Sequence, residues 1–456
     1  MATTYLTRTN SGAGSETTST FSVWFKRLST TGTQYLLHTS EDANNKLTIS
    51  FNGSFNVIGT NNSSTVMNLT PTRVFRDVSA WYHLVVAFDT TQATEADRVK
   101  LYINGVQETS FSTATYPSQN LNLKLNQSGD RRTVGNAYDN GGSPSNGYFS
   151  GLMSHIHWVD GTAYPASTFG ETDATTGEWK IKTSPSVTYG TNGFFILKDG
   201  NSVTDQSGQS NNFTVGGGTL TKTEDCPSNV FATLNALVNT SGDTSSLSNG
   251  NNTYTNQNYS YNTRSTLGMT SGKFYWEMKV NNASAVKVGV CTSQYDPSLD
   301  TDSSTAHYGG AGGGGVYVLM SNSTTTWQST FSDTSKATGS YTNAIASTSS
   351  SILMGAVDVD ANKLWVGVDG VWMYSGNPAT GANAQITFTN SSPDALHIMA
   401  SHGDNSTQRS TKFNFGNGYF GTTAVSSAGI NASGNGIFEY DVPTGYTALS
   451  TKGLNL

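Results

Sequence analysis

Short segments in which apolar and polar residues alternate begin near the N-terminus of the chain. Apolar residues lie at every second position in Phe21–Arg27 and Lys46–Phe51, and Tyr5–Thr9 begins with the apolar pair Tyr5-Leu6. A period of two is typical of a β-strand with one face in a core and the other face outside it. Further strands are predicted at Trp81–Asp89, Val99–Gln107, Gly151–Gly161, Asn192–Asp199, Gly272–Val280, Ala285–Val290, Val316–Met320, Ser351–Gly370, Val371–Tyr374, Lys412–Phe420 and Phe438–Leu449.

Two of the predicted segments contain or precede a dipeptide that is typical of a tight turn. In Val99–Gln107 the residues Val99, Leu101 and Ile103 share one face, and Asn104-Gly105 follows them. Asp369-Gly370 lies in the same way before Val371. Asn-Gly and Asp-Gly readily adopt the positive φ angles of a tight turn, so both sites predict β-hairpins. No helical periodicity of useful length is present, and the whole pattern predicts an all-β fold of sandwiches or jelly rolls.

The chain is long enough for more than one domain, and its composition changes near the middle. Its 456 residues suggest two or three domains. Residues 217–250 are rich in Gly, Ser, Thr and Asn, which is typical of a connection. We therefore predict a first domain at 1–216, a linker at 217–250 and a second domain at 251–456.

Composition and charge exclude several classes of protein. Aromatic residues make up 11% and charged residues 12%, with a net charge of −7, so the chain has enough apolar surface to fold. Lys and Arg are few and scattered, which argues against nucleic-acid binding. No apolar run approaches the length needed to span a bilayer, so we expect no membrane insertion.

Cysteine usage and the N-terminus suggest where the chain is made. Cys226 and Cys291 fall in the predicted linker and in the second domain, so a disulfide framework is not expected. The N-terminus lacks a basic segment followed by an apolar one, so no secretory signal is expected. Both points favour synthesis in a reducing cytoplasm.

The order of motifs resembles two known domain types. Phe21–Arg27, Trp81–Asp89, the hairpin Val99–Gln107 and Gly151–Gly161 resemble the laminin-G-like, concanavalin A-like domain. The second half resembles a SPRY domain through Gly272–Val280, Ile352–Gly370 and Asn414–Gly416. The resemblance implies two concanavalin A-like jelly-roll domains in tandem. Several strings are similar to those of marine bacteriophage tail-fibre and adhesion proteins: Tyr5–Thr9, Phe169–Trp179, Asp205–Phe213, Asp225–Asn235 and Pro443–Leu449.

This resemblance implies a non-enzymatic virion protein, made in the host cytoplasm and located on the surface of the phage particle. One expectation is a tail-fibre or spike adhesin whose loops recognise a host surface polysaccharide or receptor. The alternative is a capsid-decorating or head-fibre protein that binds other virion subunits of tail or capsid. We expect a homo-oligomer, for which a trimer suits a fibre, although no heptads specify one.

A glycan depolymerase is the third alternative, because some jelly rolls hydrolyse polysaccharides. Such enzymes need two carboxylates on either side of the scissile bond. The nearest set is Glu171, Asp173 and Glu178, whose last spacing is two residues longer than the Glu-x-Asp-x-x-Glu pattern of such hydrolases. Catalysis is therefore not expected there, and no nucleophile motif is present elsewhere.

The sequence defines no cofactor site. Among ions, calcium is the best match to the Asp- and Asn-rich loops. Hard cations are bound by Asp, Asn and Glu oxygens in loops, and three loops supply them: Glu41–Asn45, Asp139–Asn146 and Asp199–Asn212. Asp and Asn also form turns, and no ligand set is defined. His155 and His157 could begin a zinc site, but no third ligand is evident, so packing is the expected role.

Glycan binding would use aromatic and polar residues at loop tips. Candidate loops are Tyr138–Tyr148, Gln294–Tyr308 and Ser401–Ser410. The predicted ligand-binding residues in them are Tyr138, Asp139, Tyr148, Tyr295, Tyr308 and Asp404.

Overall fold

The computed structural model describes residues 3–124, 126–198, 200, 202–238, 246–256, 262–281, 286–293, 314–320, 325–329, 337–341, 350–389, 394–402 and 409–455. The chain divides into two compact units, Met1–Lys222 and Thr223–Leu456. Strands dominate both units, and the described helices are single 3-10 turns at Glu95–Asp97, Ala166–Thr168, Met373–Ser375, Pro378–Thr380 and Gly453–Asn455. The predicted all-β class is confirmed.

The strands of the first unit form two larger sheets and a small hairpin. They are β1 (Tyr5–Thr9), β2 (Thr18–Arg27), β3 (Gln34–Ser40), β4 (Lys46–Asn52), β5 (Ser54–Asn61), β6 (Ser64–Pro71), β7 (Tyr82–Asp89), β8 (Val99–Ile103), β9 (Val106–Gln107), β10 (Phe111–Thr115), β11 (Arg131–Val134), β12 (Gly151–Asp160), β13 (Gly170–Thr172), β14 (Trp179–Ile181), β15 (Phe194–Ile196) and β16 (Thr214–Gly217).

One sheet has eight strands in the order β10-β6-β5-β4-β3-β11-β1-β16, and the other has six in the order β15-β12-β2-β7-β8-β9. Their inner faces meet in one core because alternate residues of each strand point inward. Phe21, Val23 and Phe25 supply the β2 part of this core, and Leu47 and Ile49 supply the β4 part. All five side chains are fully buried.

The second unit contains β17 (Ser246–Ser248), β18 (Thr253–Asn256), β19 (Asn262–Arg264), β20 (Lys273–Val280), β21 (Val286–Thr292), β22 (Gly315–Met320), β23 (Thr325–Ser329), β24 (Ala337–Tyr341), β25 (Ile352–Asp358), β26 (Lys363–Val368), β27 (Val371–Trp372), β28 (Ile386–Thr387), β29 (Leu396–His402), β30 (Arg409–Asn414), β31 (Tyr419–Phe420), β32 (Thr423–Ala424) and β33 (Thr447–Ala448). One sheet runs β17-β18-β30-β20-β25-β26-β27, and a second runs β19-β29-β21-β22-β23-β24.

The chain end of the second unit differs from the predicted strand Phe438–Leu449. Only Thr447–Ala448 pairs with a strand, and it does so parallel to β20. The reason is Glu277, whose buried carboxylate accepts the backbone N–H groups of Glu439 at 2.9 Å and Tyr440 at 2.8 Å. Those amides are therefore satisfied by a side chain and need no partner strand. Burial raises the pKa of Glu277 to about 7.

The predicted linker at 217–250 falls on both sides of the boundary between the two units. The boundary between the units falls between Lys222 and Thr223. Phe231, Ala232 and Leu234 are buried in the second unit, and Leu234 bridges to Ser265. Apolar side chains at these three positions anchor the segment, although Gly, Ser and Thr dominate its composition. Most of the described part of the segment therefore belongs to the second unit.

Both predicted hairpin turns are confirmed. Asn104 and Gly105 have φ angles of 48° and 80°, and Asp369 and Gly370 have angles of 48° and 85°. Asn104 adds a second role, since its Oδ1 accepts the backbone N–H of His83 at 2.8 Å.

Candidate functional site: a polar cleft on the eight-stranded sheet

The outer face of the eight-stranded sheet is polar because of the alternation within β3, β4 and β5. On β4, Leu47 and Ile49 point into the core, so Lys46, Thr48 and Ser50 point outward. Cross-strand register then places His38 and Ile58 on either side of Thr48. A row of mainly polar side chains consequently crosses the centre of this sheet.

A loop covers part of this face and turns it into a cleft. The loop, residues 136–148, connects β11 to β12, and its Gly147 carbonyl accepts the N–H of Tyr35 at 3.2 Å. The enclosed volume is about 300 Å³. We call this the sheet cleft; it is lined by Thr33, Tyr35, His38, Lys46, Thr48, Ser50, Asn52, Asn56, Ile58, Thr60, Ala137, Asp139, Ser143 and Ser145.

Asp139 fixes the loop to the sheet. Its Oδ1 lies 2.9 Å from Nε2 of His38, and its two oxygens lie 3.3 Å from Nζ of Lys46. The His38 hydrogen bond, opposed by partial burial and supported by Lys46, lowers the pKa of Asp139. The carboxylate is therefore ionised at neutral pH.

His38 holds that carboxylate in place as a neutral imidazole. It is 1% exposed, and burial lowers its pKa despite the nearby carboxylate. An ionised carboxylate only accepts hydrogen bonds, so Nε2 of His38 carries the proton and donates a hydrogen bond to Asp139. Nδ1 then accepts from the Thr48 hydroxyl at 3.2 Å. This tautomer is assigned from the hydrogen-bond network.

The remaining polar groups of the sheet cleft are uncharged hydroxyls and amides. The Ser50 hydroxyl donates to Oδ1 of Asn56 at 2.8 Å, and the Thr33 hydroxyl donates to Oδ1 of Asn52 at 3.2 Å. Tyr35 adds a half-buried aromatic ring. Fixed hydroxyls and amides beside an aromatic ring suit a ligand that carries several hydroxyl groups and an apolar face.

The structure separates the three predicted residues of this loop. Asp139 lies in the sheet cleft, whereas Tyr138 and Tyr148 pack around Tyr5, with ring centroids 6.0 and 6.3 Å from its own. The guanidinium of Arg131 stacks 3.9 Å from the Tyr138 ring. These two tyrosines are therefore part of an aromatic cluster beside the cleft. Tyr295, Tyr308 and Asp404 lie outside the described residues.

Sequence reasoning missed His38 and Lys46. Both lie on strands about a hundred residues before Asp139, with separations of 101 and 93. The local sequence offers one indication of this site: in β4 the polar residues Lys46, Thr48 and Ser50 alternate with core residues. That signal indicates an outward face and does not reveal which loop covers it.

The loops predicted for calcium use their acidic groups in other ways. Asp42 accepts the backbone N–H groups of Asn44 at 2.7 Å and Asn45 at 2.9 Å. Asp205 accepts the N–H groups of Phe195 and Asn211, both at 2.8 Å. Within the described ranges, no group of three or more His, Cys, Asp or Glu side chains could hold a metal ion. These contacts are those of turn-forming carboxylates, and calcium stays a prediction.

The carboxylates considered for hydrolysis lie on the exposed hairpin β13–β14. Lys180 lies 3.7 Å from Glu171 and 3.2 Å from Asp173. Asp173 also accepts the backbone N–H groups of Thr175 and Thr176, and these bonds lower its pKa well below the usual range. Asp173 thus closes a turn, and Glu178 supplies a carbonyl to the same turn.

The paired histidines of β12 are packing residues. A β-bulge lies between Ser154 and His157, and His155 has a φ angle of 48°. Nδ1 of His157 lies 2.8 Å from the Tyr189 hydroxyl, and its ring stacks 3.9 Å from Phe195. Burial lowers the pKa of His157 well below its usual value.

The fold defines the class of the first unit, and comparison with known families agrees. Residues 2–166 match the family described as the concanavalin A-like lectin/glucanases superfamily. The first unit is a concanavalin A-like jelly roll, and the chain as a whole is a tandem of β-sandwiches. A search among curated proteins found no match.

Solved structures with partial similarity come from several proteins. Domains LG4–5 of the mouse laminin α1 chain are 7% identical, with 98% of this chain and 85% of that chain covered, at a TM-score of 0.27. The SPRY domain of human HERC1 is 14% identical, with coverages of 40% and 96%, at 0.27. The CBM40 of Ruminococcus gnavus IT-sialidase bound to α2,3-sialyllactose is 12% identical, with coverages of 32% and 84%, at 0.23.

The described part of the chain contains no helix with the length and apolar character that crossing a bilayer requires.

Proposed function

We propose that this chain is a non-catalytic bacteriophage virion adhesin that binds a saccharide of the host surface in the sheet cleft. The observation that carries the proposal is the cleft itself, a recess of about 300 Å³ in which most lining residues are polar and apolar atoms contribute about half of the surface. That volume lies at the lower end of small-molecule sites, which suits a short saccharide unit. Preformed hydrogen bonds between the lining groups lower the ordering cost of binding.

The virion part of the proposal rests on the strings that resemble phage fibre proteins. In the structure, two of them help to close the first unit. Arg8, in the first string, donates to Oδ1 of Asn211, in the Asp205–Phe213 string, at 2.5 Å. Asp205 in turn accepts the N–H of Phe195. These strings therefore stabilise the jelly roll, which leaves the sheet face for ligand contact.

Binding is tested by filling the cleft. Thr48 lies at its centre, so Thr48→Trp places an indole where the ligand would sit. Thr115→Trp, on the exposed edge strand β10, is the matched control. On an array of bacterial surface glycans, we expect Thr48→Trp to lose more than about tenfold in affinity and Thr115→Trp to keep wild-type affinity. Equal binding by all three proteins would place the saccharide site elsewhere.

The adhesin role is tested on cells and particles. Wild-type protein should block phage adsorption to host cells, and Thr48→Trp should not. Labelled antibody on intact particles should mark the tail. Marking of the capsid would favour the decorating role instead, and absence from the particle would refute both virion roles.

A further inference from the structure

The charges of the sheet cleft carry an inference about which saccharides it accepts. We propose that the sheet cleft selects an uncharged saccharide over an acidic one, with Lys46 and Asp139 as its specificity-determining pair. This inference rests on the proposed saccharide-binding function. It concerns the class of ligand and not the identity of the sugar.

Among the described residues that line the cleft, two carry a charge, and the two charges are opposite and cancel. Lys46 and Asp139 face each other at 3.3 Å, and every other lining residue except His38 is uncharged by nature. The buried imidazole of His38 donates to Asp139 as a neutral group. The net charge of the cleft is therefore zero, with one carboxylate and one ammonium held at fixed positions.

Both charged groups remain accessible to a ligand. The Lys46 side chain is 30% exposed and the Asp139 side chain is 28% exposed. Each has hydrogen-bonding capacity beyond the pair, since an ammonium has three donors and a carboxylate about four acceptor positions. Neighbouring hydroxyls of a sugar both donate and accept, so one can donate to Asp139 while the next accepts from Lys46.

An acidic saccharide meets a different situation. Its carboxylate or sulfate would lie close to Asp139, and Lys46, the cation among the described lining residues, is already paired with that residue. Binding would require either that the Lys46–Asp139 contact breaks or that two anions share one ammonium. In both cases Asp139 lies close to a second negative charge, and this repulsion disfavours binding. A neutral sugar leaves the pair intact.

The experiment compares matched oligosaccharides. The probes are a neutral hexose oligomer identified on the glycan array and the same oligomer oxidised to the uronic acid at C6. Wild-type protein should bind the neutral probe at least about tenfold more tightly, with little change between about 50 and 300 mM NaCl, because no net charge is neutralised. Calorimetry at each salt concentration gives both numbers.

Two charge variants test the pair directly. Asp139→Asn makes the cleft cationic, so affinity for the oxidised probe should rise about tenfold and become salt-sensitive. Lys46→Met makes it anionic, so affinity for the oxidised probe should fall further than affinity for the neutral probe. Thr115→Trp again serves as the control, and circular dichroism checks that each variant is folded.

The outcomes separate the two proposals. Salt-sensitive preference of wild-type protein for acidic saccharides would overturn the charge inference while leaving the cleft as a saccharide site. Unchanged preference in both charge variants would remove Lys46 and Asp139 from the specificity. No binding to any saccharide on the array would overturn the proposed function and this inference together.

Discussion

The two sheets of the first unit share one core, but their outer faces differ in chemical character and in exposure. The eight-stranded sheet presents Lys46, Thr48 and Ser50 to the sheet cleft. The six-stranded sheet presents aromatic and imidazole side chains that are buried under the hairpin β13–β14 and its flanking segment. The outer face of the eight-stranded sheet is therefore open at its centre, whereas the hairpin turns part of the other outer face into a second small core. A recess of about 290 Å³ remains on that second face beside Asp89, Lys100 and Tyr164.

His83 shows how completely the hairpin closes the part of the second face that it covers. Its ring lies between Trp24, at a centroid distance of 4.7 Å, and Trp179, at 6.0 Å. The indole of Trp179 donates to Nδ1 at 3.0 Å, so Nε2 carries the proton and donates to Ser22 at 2.9 Å. Every polar atom of this imidazole is satisfied within the protein. No ligand-binding capacity is left.

The comparison with His38 shows that burial alone does not define a role. Both imidazoles are buried and neutral, and both accept one hydrogen bond and donate another. The partner of His38 is Asp139, which is exposed to the cleft, whereas the partners of His83 are Ser22 of β2 and Trp179 of the covering hairpin. The same side chain therefore positions a binding group on one sheet and stabilises packing on the other.

The largest effect should come from acid on the covered face. Burial lowers the pKa of His83 to about 3, with a smaller contribution from His155. The unfolded chain binds a proton below pH 6.5 and the folded chain does not, so the stability present above pH 6.5 is lost as pH falls towards 3. Between pH 6.5 and 4 the loss from His83 is about 3 kcal/mol, and His157 adds to it.

Urea unfolding at pH 7 and pH 4 measures that loss. His83→Gln is the matched variant, because the amide can accept from Trp179 and donate to Ser22 without titrating. It should lower stability at pH 7 and flatten the pH dependence. An equally steep pH dependence in His83→Gln would show that other groups cause the acid effect.

The next effect should come from removing the cover. Trp179→Ala removes the indole that packs over Gly105 and bonds to His83, and it should lower the free energy of unfolding by roughly 2 kcal/mol. Thr48→Ala, on the open face, removes one hydrogen bond to the buried His38 ring and should cost less, about 1 kcal/mol. Equal losses would mean that the two faces do not differ as the structure indicates.

A smaller effect is expected at the loop that covers the sheet cleft. Asp139→Ala removes contacts with His38 and Lys46, of which the Lys46 contact is partly exposed. The exposed ion pair with Lys46 contributes little, but the buried Nε2–H of His38 loses its acceptor, so we expect a loss of about 1 kcal/mol. Saccharide affinity should fall much more steeply than stability. A large stability loss would make Asp139 a structural residue.

Local pattern predicted many of the strands of this fold, although β3, β5, β6 and β11 were not among them. The parity of Phe21–Arg27 and Lys46–Phe51 predicted which side chains enter the core, and the Asn104-Gly105 and Asp369-Gly370 turns have the expected φ angles. These features depend only on neighbours in the chain. The strand predicted at Phe438–Leu449 failed because Glu277, far away in the sequence, bonds its amides.

The site was predictable only in part, for a similar reason. The sequence singled out Asp139 from its loop. Its role in the cleft, however, depends on contacts with His38 and Lys46, which lie far from it in the sequence and next to it in the fold. The composition of β3 and β4 indicates a polar outer face. Which loop covers that face depends on the tertiary fold, and in the structure it is the loop at 136–148. Tyr138 and Tyr148 have the right chemistry for sugars, and their packing around Tyr5 could not be read from the sequence; their role in binding stays a prediction.

The smallest effect tests the height of the loop above the sheet. A Cβ atom at Gly147 would lie 2.4 Å from the Tyr35 ring and 3.1 Å from the Thr33 carbonyl, so Gly147→Ala must lift the loop slightly. The loop is partly exposed and can yield, so stability should fall by about 0.5 kcal/mol, while saccharide affinity should fall about threefold as the cleft widens. Asn146→Ala, at the exposed neighbouring position, is the control and should leave both unchanged. Wild-type affinity in Gly147→Ala would show that the sheet face alone holds the saccharide, and the open face would then need no loop to act as a site.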